Sequence, residues 1–195
     1  MAEISWELME AQVRACRRCP LAGGITHKVP GQGDHAAPLM LIGEGPGAEE
    51  DRQGLAFVGA AGQLLTRMLD AIALPRDRVY ICNTVKCRPP GNRTPTPEER
   101  AACLIHLRMQ TALLRPRVIL LLGASAARTV LGEDVYITRI RGQWRERKGV
   151  WIMATYHPSA LLRDPEKKRD AWRDLQLVRD KLVELGCYED LLGPA

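Results

Sequence analysis

The chain has 195 residues, about one domain at the soft prior of ~150 residues each, read here as a single domain over 1–195. Charged residues at 26% and hydrophobic residues at 46% exclude a disordered tail, a collagen-like fibre and a disulfide mini-scaffold. No apolar run approaches the ~18 residues that span a bilayer, so no membrane helix is expected. The N-terminal MAEISWELME carries acids and no basic n-region, which predicts no signal peptide and a cytoplasmic location. The net charge of +5 favours a polyanionic partner only weakly. Its arrangement is more specific. Arg139, Arg141, Arg145, Arg147 and Lys148 crowd one stretch, and Arg163, Lys167, Lys168 and Arg169 another. These are either solvated faces or strips that follow a phosphate backbone.

In chain order, Trp6, Leu8, Met9 and Val13 mark an amphipathic first helix. Leu39 to Ile42, ending in Gly43, is a buried strand, and the spacing of Leu64, Leu65, Met68, Leu69 and Ile72 predicts a helix over 60–73. Val79 to Cys82 is a second strand. RPPGNRTPTP (88–97) is a long loop. Thr96, Pro97 and Glu99 then supply an N-cap, an N1 proline and a capping-box acid for a helix that ends before Pro116. Val118 to Leu122 is a third strand and 124–131 a short helix. Gln143 to Arg147 and Val150 to Thr155 form a hairpin, its second half the fourth buried strand. Asp164 and Pro165 open a last helix reaching Leu185. Alternating strands and helices predict an α/β fold of three layers, α/β/α, around a four-stranded parallel sheet.

Six cysteines without an export signal argue against disulfides. Cys16 and Cys19 form C-x2-C. It follows a helix and precedes Pro20, whereas a redox pair follows a strand and opens a helix, so the thioredoxin-like reading is demoted. Cys87 precedes the proline-rich loop and Cys103 lies one turn into the next helix, so the two can converge with Cys16 and Cys19. Four thiolates suit zinc or an iron–sulfur cluster, and spacing does not separate them. Cys82 and Cys187 are read as a buried strand thiol and a bystander.

In parallel sheets the site lies beyond the carboxyl ends of the strands. There stand Gly43-Glu44-Gly45-Pro46-Gly47 after the first strand, Asn83 after the second, and Tyr156, His157 and Pro158 after the fourth. A carboxylate, an amide and an imidazole meet at one rim. Gly43, Gly45 and Gly47 allow close approach of backbone to a ligand. GEGPG is neither a P-loop nor a dinucleotide fingerprint.

GEGPGAEED (43–51), AFVG (56–59), Asn83 with VKCRPPGNR (85–93), and HPSALLR (157–163) resemble the iron–sulfur-containing uracil-DNA glycosylases, the fourth family of that superfamily. The similarity runs from Cys16 to Leu182. It implies a [4Fe–4S] cluster on Cys16, Cys19, Cys87 and Cys103, away from the reacting base, and hydrolytic excision of uracil from DNA, the opening step of base excision repair. It implies further that Phe57 stacks on the extruded uracil, Asn83 reads its O4 and N3 edge, and His157 faces O2. HPSALLR, with Ser159, Leu161, Leu162 and Arg163, enters the minor groove, and Leu161 or Leu162 fills the space left by the flipped base. A donor aimed at O2 from His157 is worth ~3 kcal/mol in the transition state. Related families carry an aspartate in the glycine-rich loop where position 45 here is glycine, so Glu44 is the first candidate to position the water and Glu50 the second. Glu50 or a loop neighbour is also the candidate to exclude thymine. The cluster ties 16–19 to 87–103, with Arg88 and Arg93 on the adjoining DNA surface. A monomer is expected.

The residues also admit three rival readings. One is a uracil-DNA binder without turnover, which in relatives uses an extra histidine-bearing loop. Only His27, His35, His106 and His157 occur here, with none between Thr138 and Gly142. The second is a zinc-stapled nucleic-acid module, with His106 as a substitute ligand. The third is a redox sensor.

Overall fold

The computed structural model describes residues 4–132 and 134–192. Its strands are β1 (Gln32–Gly33), β2 (Leu39–Gly43), β3 (Tyr80–Asn83), β4 (Val118–Leu122), β5 (Arg145–Arg147) and β6 (Val150–Thr155). Its helices are α1 (Trp6–Ala15), α2 (Ala48–Gln53), α3 (Ala60–Asp70), α4 (Pro97–Leu114), α5 (Ala124–Leu131), α6 (Ile137–Ile140), α7 (Pro158–Arg163), α8 (Lys168–Glu184) and α9 (Glu189–Leu192).

The continuous apolar runs occupy the middle of the sheet because both of its faces are covered. The order is β1-β3-β2-β4-β6-β5. β3, β2, β4 and β6 are parallel, while β1 and β5 pair antiparallel at the two edges. The sheet therefore has six strands rather than the predicted four. β1 is two residues of polar and glycine character and leaves no apolar signal, and β5 is the outer arm of the expected hairpin.

Alternation of side chains sorts the core into two layers. Leu39, Leu41, Ile81, Leu120 and Met153 point to the face covered by α3 and α8, where Leu65, Leu69, Leu175 and Val178 are buried. Met40, Ile42, Cys82, Leu121 and Ala154 point to the opposite face, against Leu107 and Leu114 of α4 and Ala126, Ala127 and Leu131 of α5. Cys82 is thus the buried strand thiol expected, and Cys187 is buried with its thiol on the Leu182 carbonyl.

Local signals set the helix ends. The Thr96 hydroxyl accepts from the Glu99 N–H at 3.3 Å and the Glu99 carboxylate accepts from the Thr96 N–H at 2.8 Å. Arg93 then grips Glu99 with two bonds of 2.7 and 2.8 Å, which fixes the proline-rich loop on α4. α3 stops at Asp70 rather than at 73. The Ala73 N–H returns to the Asp70 carbonyl and the Leu74 N–H to the Leu69 carbonyl, with Ala73 left-handed at φ 54°. Pro75 follows and cannot continue the helix. The last helix opens with a 3-10 turn at Pro165–Lys167.

The first basic strip is only partly a surface. Arg141 turns inward and donates to Asp174 at 2.7 and 3.0 Å and to the Asp170 carbonyl at 2.6 Å. The buried Asp174 also accepts from the Thr155 hydroxyl at 2.6 Å, so this network ties β6 to α8. Arg147 donates to carbonyls near the end of α5, and in the second strip Lys167 pairs with Asp164.

From β2 the chain crosses by α2 and α3 to β3 on one side, then by α4 to β4 on the other. This reversal makes the carboxyl ends of β2 and β4 a topological switch point, where a crevice opens.

Candidate active site

That crevice is a cleft of about 740 Å3 lined by, among others, Glu44, Phe57, Asn83, His157 and Arg163. Gly43 closes β2 directly opposite Asn83 in the β3 register. A Cβ on Gly43 would run into the Phe57 ring and stand 2.5 Å from Asn83 Oδ1, so only glycine admits both groups. Asn83 is 1% exposed and its Oδ1 has no hydrogen-bond partner. Buried carbonyl oxygens are nearly always paired, so an orphan facing a cleft marks a place for a donor on a ligand.

His157 arrives from the end of β6 and caps α7. The Ser159 N–H donates to His157 Nδ1 at 3.1 Å, and the Ser159 hydroxyl lies 2.8 Å from the same atom. A nitrogen that accepts from an amide carries no proton, so the ring proton is on Nε2. Burial pushes the imidazolium down to about 4, with the Arg163 charge acting the same way and Glu50 opposing. His157 is therefore a neutral Nε2–H donor at ordinary pH. Gly123, at φ 92°, passes close beneath it, where a Cβ would lie 2.9 Å from His157 Cβ.

The Phe57 ring centroid lies 5.7 Å from that of His157 at a 34° tilt. Its backbone is left-handed at φ 53°, unusual for a bulky residue, and is braced from both sides. The buried Glu50 carboxylate accepts from the Val58 and Gly59 N–H groups, both at 2.8 Å, and from Gly47 N–H at 3.1 Å. Arg76 donates to the Ala56 carbonyl at 2.7 Å and to Thr66 at 3.1 Å. Glu50 is thus engaged in holding the two loops of the cleft. With its oxygens taken by backbone donors it is not the free base that the sequence reading weighed. Glu44 is half-buried on the cleft wall, and its carboxylate has no hydrogen-bond partner among the described residues. Gly45, also on that wall, packs close to Val85.

On α7 the two leucines separate. Leu161 is 1% exposed and belongs to the core under α3, so it does not reach a DNA surface, contrary to expectation. Leu162 is 44% exposed. Arg163 lines the cleft, and Ser159 is turned to His157. The clamp of Arg76 on the Phe57 loop left no signal in the sequence.

A second, tight cavity of about 10 Å3 lies between the end of α1, the segment at Lys86 and Cys87, and α4. It is lined by Cys16, Cys19, Cys87 and Cys103 together with Arg18, Lys28, Lys86 and His106. Burial pushes the Cys87 thiol up to about 12, reinforced by Cys103, Cys19 and Cys16 and offset by Lys28. The four sulfurs are thus electrostatic neighbours. Among the described residues no three His, Cys, Asp or Glu side chains converge on a single ion position. His106 is 4% exposed with both ring nitrogens unpartnered.

The profile of the family described as the uracil DNA glycosylase superfamily matches residues 30–176. The chain belongs to that superfamily. Within it, the chain is 43% identical over 186 residues to a type-4 uracil-DNA glycosylase of Thermotoga maritima, covering 92% of this chain and 96% of the relative. It is 42% identical over 175 residues to the type-4 protein of Archaeoglobus fulgidus, covering 86% and 88%. A type-5 uracil-DNA glycosylase of Pyrobaculum aerophilum matches at 37% over 151 residues, covering 68% and 66%. No helix among the described residues is long and apolar enough to cross a membrane.

Proposed function

We propose that this chain is a type-4 uracil-DNA glycosylase that hydrolyses the bond between uracil and deoxyribose, leaving an abasic site for base excision repair. The observation that carries the reading is the unpartnered, buried Oδ1 of Asn83 in the same cleft as the neutral Nε2–H of His157. Uracil presents N3–H to the first and O2 to the second, and the Asn83 amide N–H answers O4. Cytosine offers the opposite pattern at N3 and C4 and leaves two contacts unmatched. Phe57 stacks on the ring.

The base must first leave the duplex, at a cost of about a few kcal/mol that falls at a U·G mismatch. Leu162, the exposed leucine of α7, fills the gap, and Arg163 meets the phosphate beside it. As the glycosidic bond lengthens, negative charge grows on O2 and positive charge on the sugar. The Nε2–H of His157 stabilises the first, and the Glu44 carboxylate stabilises the second and orients the attacking water. Neither step requires a proton to be taken from His157.

The four cysteines fit a [4Fe–4S] cluster. They supply the four thiolates such a cluster uses, at a cavity also faced by Arg18, Lys28 and Lys86, whose charges offset its own. When bound it supplies a cross-link from residues 16–19 to the loop and helix over 87–103, and no step of hydrolysis. Six cysteines that stand as free thiols fit a reducing, cytoplasmic setting. One chain, as a single domain, carries every group named for the cleft, which supports a monomer.

Base release from U·G, U·A and T·G duplexes tests the reading. Wild type releases uracil and spares thymine, while His157→Ala and Asn83→Ala are each slower by about 100-fold or more. Equal rates for wild type and His157→Ala overturn the assignment, and binding without base release overturns turnover altogether. Iron analysis and visible absorption test the cluster: the wild type is brown, and Cys87→Ala is bleached and unfolds earlier.

A further inference from the structure

Lys86 is 1% exposed, which is rare for an ammonium. Its Nζ donates to the main-chain carbonyl of Asn83 at 2.7 Å and to Gln110 Oε1 at 2.6 Å. Gln110 is anchored in turn, donating to the Pro30 carbonyl at 2.7 Å and the Tyr80 hydroxyl at 2.8 Å. Both acceptors of the ammonium are neutral. Among the described residues no carboxylate pairs with it, whereas the inward-turned Arg141 has Asp174. A charge taken out of water and met only by neutral dipoles is unfavourable.

Thiols stand on the other side of the residue. Lys86 lines the cysteine cavity. The positive charge of Lys86 therefore sits between a thiol-lined cavity and the strand end that carries Asn83.

We infer that Lys86 is the buried counter-cation of the cysteine-bound cluster and, through the same ammonium, the strut that holds Asn83 at the base-reading position. The inference rests on the cluster reading above. A [4Fe–4S] core held by four thiolates is an anion, and an adjacent cation favours its more reduced state. Lys86 touches neither substrate nor the reacting bond and is a positioning residue. It makes the geometry of base recognition depend on an intact cluster, although the cluster takes no part in hydrolysis.

The experiment uses iron-loaded protein and the variants Lys86→Met and Lys86→Gln. Iron per chain, the reduction potential of the cluster, and kcat and KM on a U·G duplex are measured. In loaded variants the potential moves negative of wild type. For Lys86→Met kcat/KM falls by about tenfold, the loss of one hydrogen bond from a charged donor. Variants that keep the native circular dichroism but take up no iron also support the inference. Loaded variants at the wild-type potential overturn it. Should both fail to fold, Gln110→Glu decides: it is isosteric, keeps Lys86 and offers the ammonium a carboxylate. Its potential also moves negative, and an unmoved potential overturns the inference. An iron-free wild type overturns the cluster reading and this inference together, whereas loaded wild type with unmoved variants overturns the inference alone.

Discussion

The main-chain N–H of Ser159 donates to Nδ1 of His157 across 3.1 Å, and this one bond decides which ring nitrogen holds the proton. The donor is the first turn of α7, so the tautomer is set by where a helix begins. Ser159→Ala keeps the main-chain N–H and loses only the hydroxyl. Its kcat on U·G is expected within about tenfold of wild type, against a loss of about 100-fold or more for His157→Ala, in single-turnover base release.

Acid dependence follows from the same ring. Burial lowers the His157 imidazolium to about 4 in the fold, from 6.5 when unshifted. The unfolded chain therefore binds the proton first as pH falls, and the stability linked to this neutral ring is complete above about 6.5 and is lost progressively towards about 4. The limb of kcat/KM that reports His157 is expected near pH 4 rather than near pH 6.5. A pH profile of kcat/KM checks this, with His157→Ala losing that limb.

The two glutamates of the first motif separate by variant. Glu50→Gln presents an amide N–H2 to backbone N–H groups that now meet a carboxylate, and is expected to destabilise by about 1–3 kcal/mol while loosening Phe57. Glu44→Gln disturbs no hydrogen bond among the described residues. It should leave the melting temperature unchanged while slowing base release by at least about tenfold. Thermal melts alongside base-release rates separate the two.

A similar division applies to the leucines. Leu161→Ala opens a cavity beneath α3 and costs about 2–5 kcal/mol of stability. Leu162→Ala melts as wild type and loses activity on U·A more than on U·G, because the stable pair is harder to open. Comparing U·A and U·G rates for both variants checks it.

Gly43→Ala adds one methyl between Phe57 and Asn83. Overpacking of this kind costs about 1–3 kcal/mol, and here it also closes the base site. Uracil release is expected to fall at least as far as in Asn83→Ala.

Much of this was legible in the chain itself. Continuous apolar runs named the four parallel strands because strands buried on both faces have no polar side to alternate. Thr96-Pro97 and Glu99 marked the start of α4 near 97, since capping is a local hydrogen bond. Glu44, Asn83 and His157 could be brought to one rim from strand ends alone. The cysteine spacing admitted a four-thiolate site. Only the tertiary structure turned Leu161 into the core and Leu162 out of it, occupied Glu50 with three backbone donors, drew Arg141 down to Asp174, clamped the Phe57 loop with Arg76, and set Lys86 between Asn83 and the cysteines. Strand patterns and caps depend on neighbours a few residues away. The partner of a buried charge or the exposure of one leucine among two depends on segments that meet only when the sheet is assembled, and no local pattern encodes that meeting.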